Sequence, residues 1–85
     1  MEVIFTAIAL EDLKEWKKSG NKIIQKRIEQ LINAIAQNPF EGIGKPEALK
    51  YNFTGYWSRR INDEHRPVYS VEDSIVTIVQ LRDHY

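Results

Sequence analysis

The chain has no cysteine, which excludes a disulfide framework and any zinc site built on thiolates. That absence suits a reducing compartment. No apolar run approaches the ~20 residues that a membrane-spanning helix needs. The opening stretch, MEVIFTAIALED, lacks the basic segment of a secretory signal and meets acids after a few apolar residues. Repeats and low-complexity segments are missing too. A soluble, cytoplasmic protein that does not engage a membrane is the expectation. Charge of one sign is also lacking, because 12 lysines and arginines balance 12 aspartates and glutamates. The chain therefore has no global basic footprint for nucleic acid and little long-range steering.

What is present suffices for one domain over residues 1–85. The 42% hydrophobic content argues against disorder. A chain this short buries roughly 60 to 65 percent of its unfolded surface, which makes a thin but adequate core.

Glu2 to Phe5 reads as a short strand, with Val3, Ile4 and Phe5 all β-forming. Thr6 is a fitting N-cap for a helix to about Lys18, with Leu10, Leu13 and Trp16 as its apolar stripe. Gly20 ends that helix and Asn21 caps the next. Ile24, Ile28, Leu31 and Ile35 then follow the i, i+4, i+7, i+11 pattern, widened by Ile32, until Asn38-Pro39 stops the helix. Two prolines and two glycines between Pro39 and Pro46 make a loop. A strand-like stretch runs from Leu49 to Phe53. Strands are expected over Tyr56–Ile61, Arg66–Val71 and Ile75–Leu81, joined by Asn62-Asp63-Glu64 and Glu72-Asp73-Ser74 as turns. The fold class is α+β: an N-terminal strand and two-helix hairpin on one face of a curved antiparallel sheet.

The other sheet face is where function would sit. Strand alternation groups Tyr56, Ser58 and Arg60, then Arg66, Val68 and Ser70, then Gln80, Arg82 and His84, the last set opposite Thr77, Val79 and Leu81. A face offering Arg60, Arg66, Arg82 and His84 is too polar for a core and calls for solvent or an anion. Between Lys45 and Arg66 there are five bases against three acids, a small local excess beside aromatics. Arg66 follows a tight turn, Glu47 follows the conformationally restricted Pro46, and His84 comes directly after an ordered strand. His65, with Glu64, Asp83 and His84, superficially suggests a metal site, but the spacing matches no metal pattern and no metal or cofactor is expected.

The segments Pro39-Phe40-Glu41-Gly42, Gly44-Lys45-Pro46-Glu47, Leu49-Lys50, Gly55-Tyr56-Trp57-Ser58-Arg59-Arg60-Ile61, Glu64-His65-Arg66 and His84-Tyr85 closely resemble the YoeB-like (Txe) toxins. These form a branch of the RelE superfamily of bacterial toxin–antitoxin systems. Several ordered motifs at matching spacing, over the whole chain, make the resemblance specific. It implies a RelE-like fold and an endoribonuclease that cuts messenger RNA in the ribosomal A site. It also implies neutralisation by a YefM-like antitoxin and allows a homodimer. By position, Glu47 is implied as general base, His84 as general acid and Arg66 as the group that stabilises the phosphate. Lys45, Lys50, Arg59, Arg60 and Tyr85 are implied as RNA contacts. Pro67 and Asp83 depart from the family pattern. Pro67 removes a backbone donor from a strand, whereas Asp83 should point away from His84.

These residue types suit the reaction. RNA supplies its own nucleophile, the 2′-hydroxyl, so the enzyme needs a base, an acid and a charge stabiliser but no metal. A carboxylate accepts the 2′-hydroxyl proton, and an imidazole, with an ordinary pKa of about 6.5, donates to the leaving 5′-oxygen. A guanidinium meets the phosphorane with its fork. Two non-enzymatic alternatives compete with this reading: a module that grips ribosomal or transcript RNA without cutting it, and a module whose cleft only receives an antitoxin.

Overall fold

The structure, a computed structural model, describes residues 1–82. The elements in chain order are β1 (Glu2–Phe5), α1 (Ala7–Ser19), α2 (Lys22–Gln37), β2 (Glu47–Ala48), β3 (Tyr56–Ser58), β4 (Val68–Glu72) and β5 (Ile75–Gln80). A single 3₁₀ turn, Tyr51–Phe53, sits between β2 and β3.

Both helices start and stop where local chemistry dictates. Thr6 Oγ1 accepts from the Ala9 N–H and Asn21 Oδ1 from the Ile24 N–H, each satisfying a donor that the first helical turn leaves orphaned. Gly20 ends α1 at φ 71, the left-handed conformation that costs glycine nothing. Asn38 ends α2 with extended backbone ahead of Pro39. On α2, Ile28, Leu31 and Ile35 are buried as their spacing requires. On α1 the buried stripe is Ala9 and Trp16 flanked by Leu13, while Leu10 is 49% exposed. The small Ala9 lets the helix approach the sheet, and that rotates Leu10 outward.

The sheet order is β1-β5-β4-β3-β2. The expected meander is present, because β3 pairs antiparallel with β4 and β4 with β5. The sheet is nevertheless mixed, since β1 adds to β5 in parallel. Two strands are shorter than expected. β3 stops at Ser58 and β4 starts at Val68, because Pro67 has no N–H to return the bond that Arg59 N donates to Pro67 O at 3.3 Å. The Leu49–Phe53 stretch is no strand. β2 lies just before it, and Tyr51, at φ 59, turns the chain into the 3₁₀ element.

Register decides which residues face the core. Tyr69 pairs with Ile78 and Val68 with Gln80, so Val79 is an extra residue and the alternation reverses there. Val76, Ile78 and Leu81 all reach the core as a result. Thr77, opposite Ser70, shares the open face with Gln80 instead of lying opposite it. Helix α1 brackets the end of β5: Trp16 Nε1 donates to Leu81 O and Asp12 Oδ2 accepts from Leu81 N, both at 2.9 Å. Arg82 is turned to the same helix, 3.8 Å from Glu15, and not to the open face with Arg66. His65 packs edge-on against Trp16, with ring centroids 4.8 Å apart.

Tyr69 lies fully buried at the centre, its O–H donating to Pro39 O at 2.6 Å and accepting from Arg59 Nε at 3.1 Å. Burial raises its pKa above the ordinary 10.0, and the hydrogen bond and charge of Arg59 only partly oppose this. A raised folded pKa means that the phenol's contribution is complete below pH 10 and is lost as pH climbs through the raised value. Tyr69→Phe is expected to cost about 1–3 kcal/mol at neutral pH by stranding Pro39 O and Arg59 Nε. It should also flatten the alkaline fall in stability, which melting curves from neutral pH to beyond the ordinary tyrosine pKa would measure.

Candidate active site

The loop between α2 and β2 has no regular structure, yet it is held at many points by two consecutive arginines of the segment after β3. Arg59 is fully buried. Its Nη1 donates to Ile43 O at 3.1 Å, and its Nη2 to Asn38 O at 2.5 Å and Glu41 O at 3.1 Å. The Arg60 backbone N–H donates to Gly44 O at 2.6 Å. Gly44, at φ 84, passes so close that a β-carbon there would lie 2.7 Å from Leu31 Cδ2 and 3.3 Å from Arg60 O. Phe40 packs on Trp57 with centroids 5.0 Å apart. This clamp delivers Pro46 and Glu47 to the sheet edge, where Glu47 pairs with Ser58.

On the opposite face of β3, Ser58 is fully buried and forms the floor of the site. Arg66, two residues before β4, donates from Nη1 to Ser58 Oγ at 3.4 Å and stands 3.6 Å from Glu47 Oε2. The guanidinium is recessed, with 16% of its side chain exposed, and the carboxylate sits at the rim with 61% exposed. A partly exposed pair of this kind is worth about 0–1 kcal/mol. An incoming phosphate oxygen can therefore take over the guanidinium at little cost. Lys45, Lys50 and Arg60 are exposed, and Lys50 lines a cleft with Glu47.

The structure thus brings together Glu47 and Arg66, two residues expected from the sequence, and adds Ser58, which was grouped on this face only by alternation. Arg59, expected as an RNA contact, is a structural clamp with no accessible surface. The signal was its two-residue offset from Trp57, which puts both on the core side. His84, Tyr85 and Asp83 lie outside the described residues.

The sequence pattern of the YoeB-like toxins of bacterial type II toxin–antitoxin systems matches residues 5–85. The chain belongs to that family. Toxin YoeB of Synechocystis sp. is 51% identical over 85 residues, which are 100% of this chain and 98% of that toxin. The solved structure of a YoeB/ParE toxin from Agrobacterium tumefaciens superposes with a TM-score of 0.93 at 39% identity, covering 100% of both chains. In the YoeB–YefM complex from Staphylococcus aureus, one chain superposes at 0.87 with 46% identity, over 100% of this chain and 98% of that one. As a family member, this protein is the toxin of a type II toxin–antitoxin system, and its α+β fold is that of its relatives.

Replacing Arg59 by lysine keeps the charge but loses the fork. It is expected to lower stability by about 2–3 kcal/mol, as buried loop carbonyls lose their donors. Denaturant melts of Arg59→Lys check this. Unchanged stability combined with lost RNA binding would return Arg59 to the RNA surface.

Proposed function

We propose that this toxin is a ribosome-dependent, metal-independent endoribonuclease that cleaves messenger RNA by attack of the 2′-hydroxyl on the adjacent phosphate, inhibiting translation in the cytoplasm. The observation that carries this reading is the Glu47–Arg66 pair at 3.6 Å over the buried Ser58. A base and a phosphate-binding group lie within the span of one phosphodiester.

In the proposed reaction, Glu47 accepts the 2′-hydroxyl proton as the new O–P bond forms. Arg66 releases Glu47, keeps Ser58 as an anchor and turns its fork to the equatorial phosphorane oxygens. His84, as imidazolium, gives its proton to the departing 5′-oxygen. The products are a 2′,3′-cyclic phosphate and a 5′-hydroxyl end. The role of His84 rests on the family resemblance; the last described pairing before it is Gln80 with Val68, two residues after Arg66. In the cell, a YefM-like antitoxin is the proposed inhibitor, because the S. aureus relative is solved with YefM.

Glu47→Gln and His84→Gln should each lose about 10²- to 10⁴-fold in cleavage rate, and Arg66→Lys should also lose activity because it cannot form the fork. Mapping transcript 5′ ends on translating ribosomes tests this. Wild-type cutting by any of the three variants would remove that residue's assigned role. With Arg59 buried and Arg82 turned to α1, the cations left for RNA are Lys45, Lys50, Arg60 and Arg66. Four contacts give single-stranded RNA a salt slope of only about −3, so naked RNA should bind weakly and the ribosome has to present the substrate. A binding titration over ionic strength measures the slope. Cleavage of naked RNA at the ribosomal rate would rule out the dependence.

A further inference from the structure

Among the exposed large hydrophobic side chains of the described residues, Tyr51 is the most exposed, at 91%. An exposed tyrosine on a turn is ordinarily unremarkable. This one is held in an unusual way. Its φ of 59 lies in the left-handed region, which a residue with a β-carbon rarely adopts. Such strain persists only where the surroundings over-determine the backbone. Here they do: Thr54 N and Thr54 Oγ1 both donate to Tyr51 O, at 3.1 and 2.7 Å, and Phe53 N donates to Lys50 O at 3.2 Å. Just before the turn, Leu49 is buried and its N–H donates to Tyr56 O at 2.9 Å. The backbone of Tyr51 is pinned at both ends while its ring stands in solvent. Strain spent on presenting a ring outward stabilises nothing in the fold.

The location gives the strain a purpose. A cleft of about 410 Å³ is lined by the chain from Glu47 to Phe53, so the proposed base, Lys50 and Tyr51 share its walls. A cation beside a flat aromatic face is the alternation that single-stranded RNA itself presents, phosphate next to base. Resting on the nuclease reading, we propose that Tyr51 is the stacking platform for a nucleobase of single-stranded messenger RNA next to the scissile phosphate, with Lys50 holding a neighbouring phosphate. Tyr51 is a positioning residue. It fixes the nucleotide so that the 2′-hydroxyl meets Glu47, and it takes no part in proton transfer. Stacking is tolerant of base identity, because every base has a π-face.

The test is single-turnover cleavage on programmed ribosomes by wild type, Tyr51→Leu, Tyr51→Phe and Glu47→Gln, reading the half-saturating toxin concentration and the maximal rate separately. Leucine keeps bulk and loses the π-face, so Tyr51→Leu should raise half-saturation about tenfold or more and change the maximal rate less than about threefold. Tyr51→Phe should recover wild-type half-saturation, and the melting temperature should be unchanged in both variants. Wild-type half-saturation in Tyr51→Leu, or failure of phenylalanine to restore it, overturns the proposal. Weakened antitoxin binding by Tyr51→Leu with unaltered cleavage also overturns it, because the ring would then be a protein contact. Full cleavage by Glu47→Gln would sink the catalytic reading alone and leave the Tyr51 comparison readable.

Discussion

The Arg59 guanidinium is the constraint on which the rest of the site depends. It is fully buried, and the partners it is given are neutral: three loop carbonyls and the Tyr69 hydroxyl. Taking such a charge out of water is costly. The cost is offset because hydrogen bonds to a charged group contribute about 1.5–3 kcal/mol each, and Arg59 makes several in one plane. The gain is conformational. The segment from Asn38 to Pro46 crosses from α2 to the far edge of the sheet without helix or strand, so it has little to select one path. A rigid fork with fixed donor directions selects one. Tyr69 completes it by reaching Pro39 O, tying the loop to the central strand.

The two faces of β3 divide the labour. Trp57 packs toward the core and Arg59, two residues on, extends that side into the loop. Ser58 lies between them on the other face, beneath Arg66 and opposite Glu47. A one-residue slip of β3 would exchange clamp and floor, leaving Arg66 without its anchor and the loop without its fork. The pairing Trp57↔Tyr69 and Ser58↔Val68 is therefore as much a feature of the site as of the sheet.

Elements fixed by local chemistry were legible from residues alone: the Thr6 and Asn21 caps, Gly20, the α2 stripe and the loop at Pro39–Pro46. The convergence of Glu47 and Arg66 was not among these and came only with the family resemblance. What failed required knowledge of distant partners. The Arg59-Arg60 pair looks like a basic patch because sequence shows charge and not burial; only the acceptors at Asn38, Glu41 and Ile43 reveal that one member turns inward. Arg82 was misassigned because nothing in a run of β-forming residues announces the extra residue at Val79 or the Glu15 carboxylate waiting on α1. The parallel pairing of β1 with β5 joins segments some 70 residues apart, and Tyr51 breaks from strand geometry with no glycine or proline to signal it.

These corrections bear on how a neutral protein would hold a polyanion. With Arg59 buried and Arg82 turned to α1, the proposed RNA surface keeps few cations besides a recessed guanidinium that is already paired with Glu47. Such a surface is poor at capturing RNA by charge alone. It is well suited to a substrate delivered by other means, because a weak Glu47–Arg66 pair is easily exchanged for a phosphate and each partner is then freed for a separate role. Where attraction is modest, precision has to come from rigidity. That is what the buried clamp and the doubly anchored Tyr51 backbone share: both spend energy on fixing the chain, one hidden in the interior and the other beside the cleft, so that under the proposed function few contacts would suffice to orient one nucleotide.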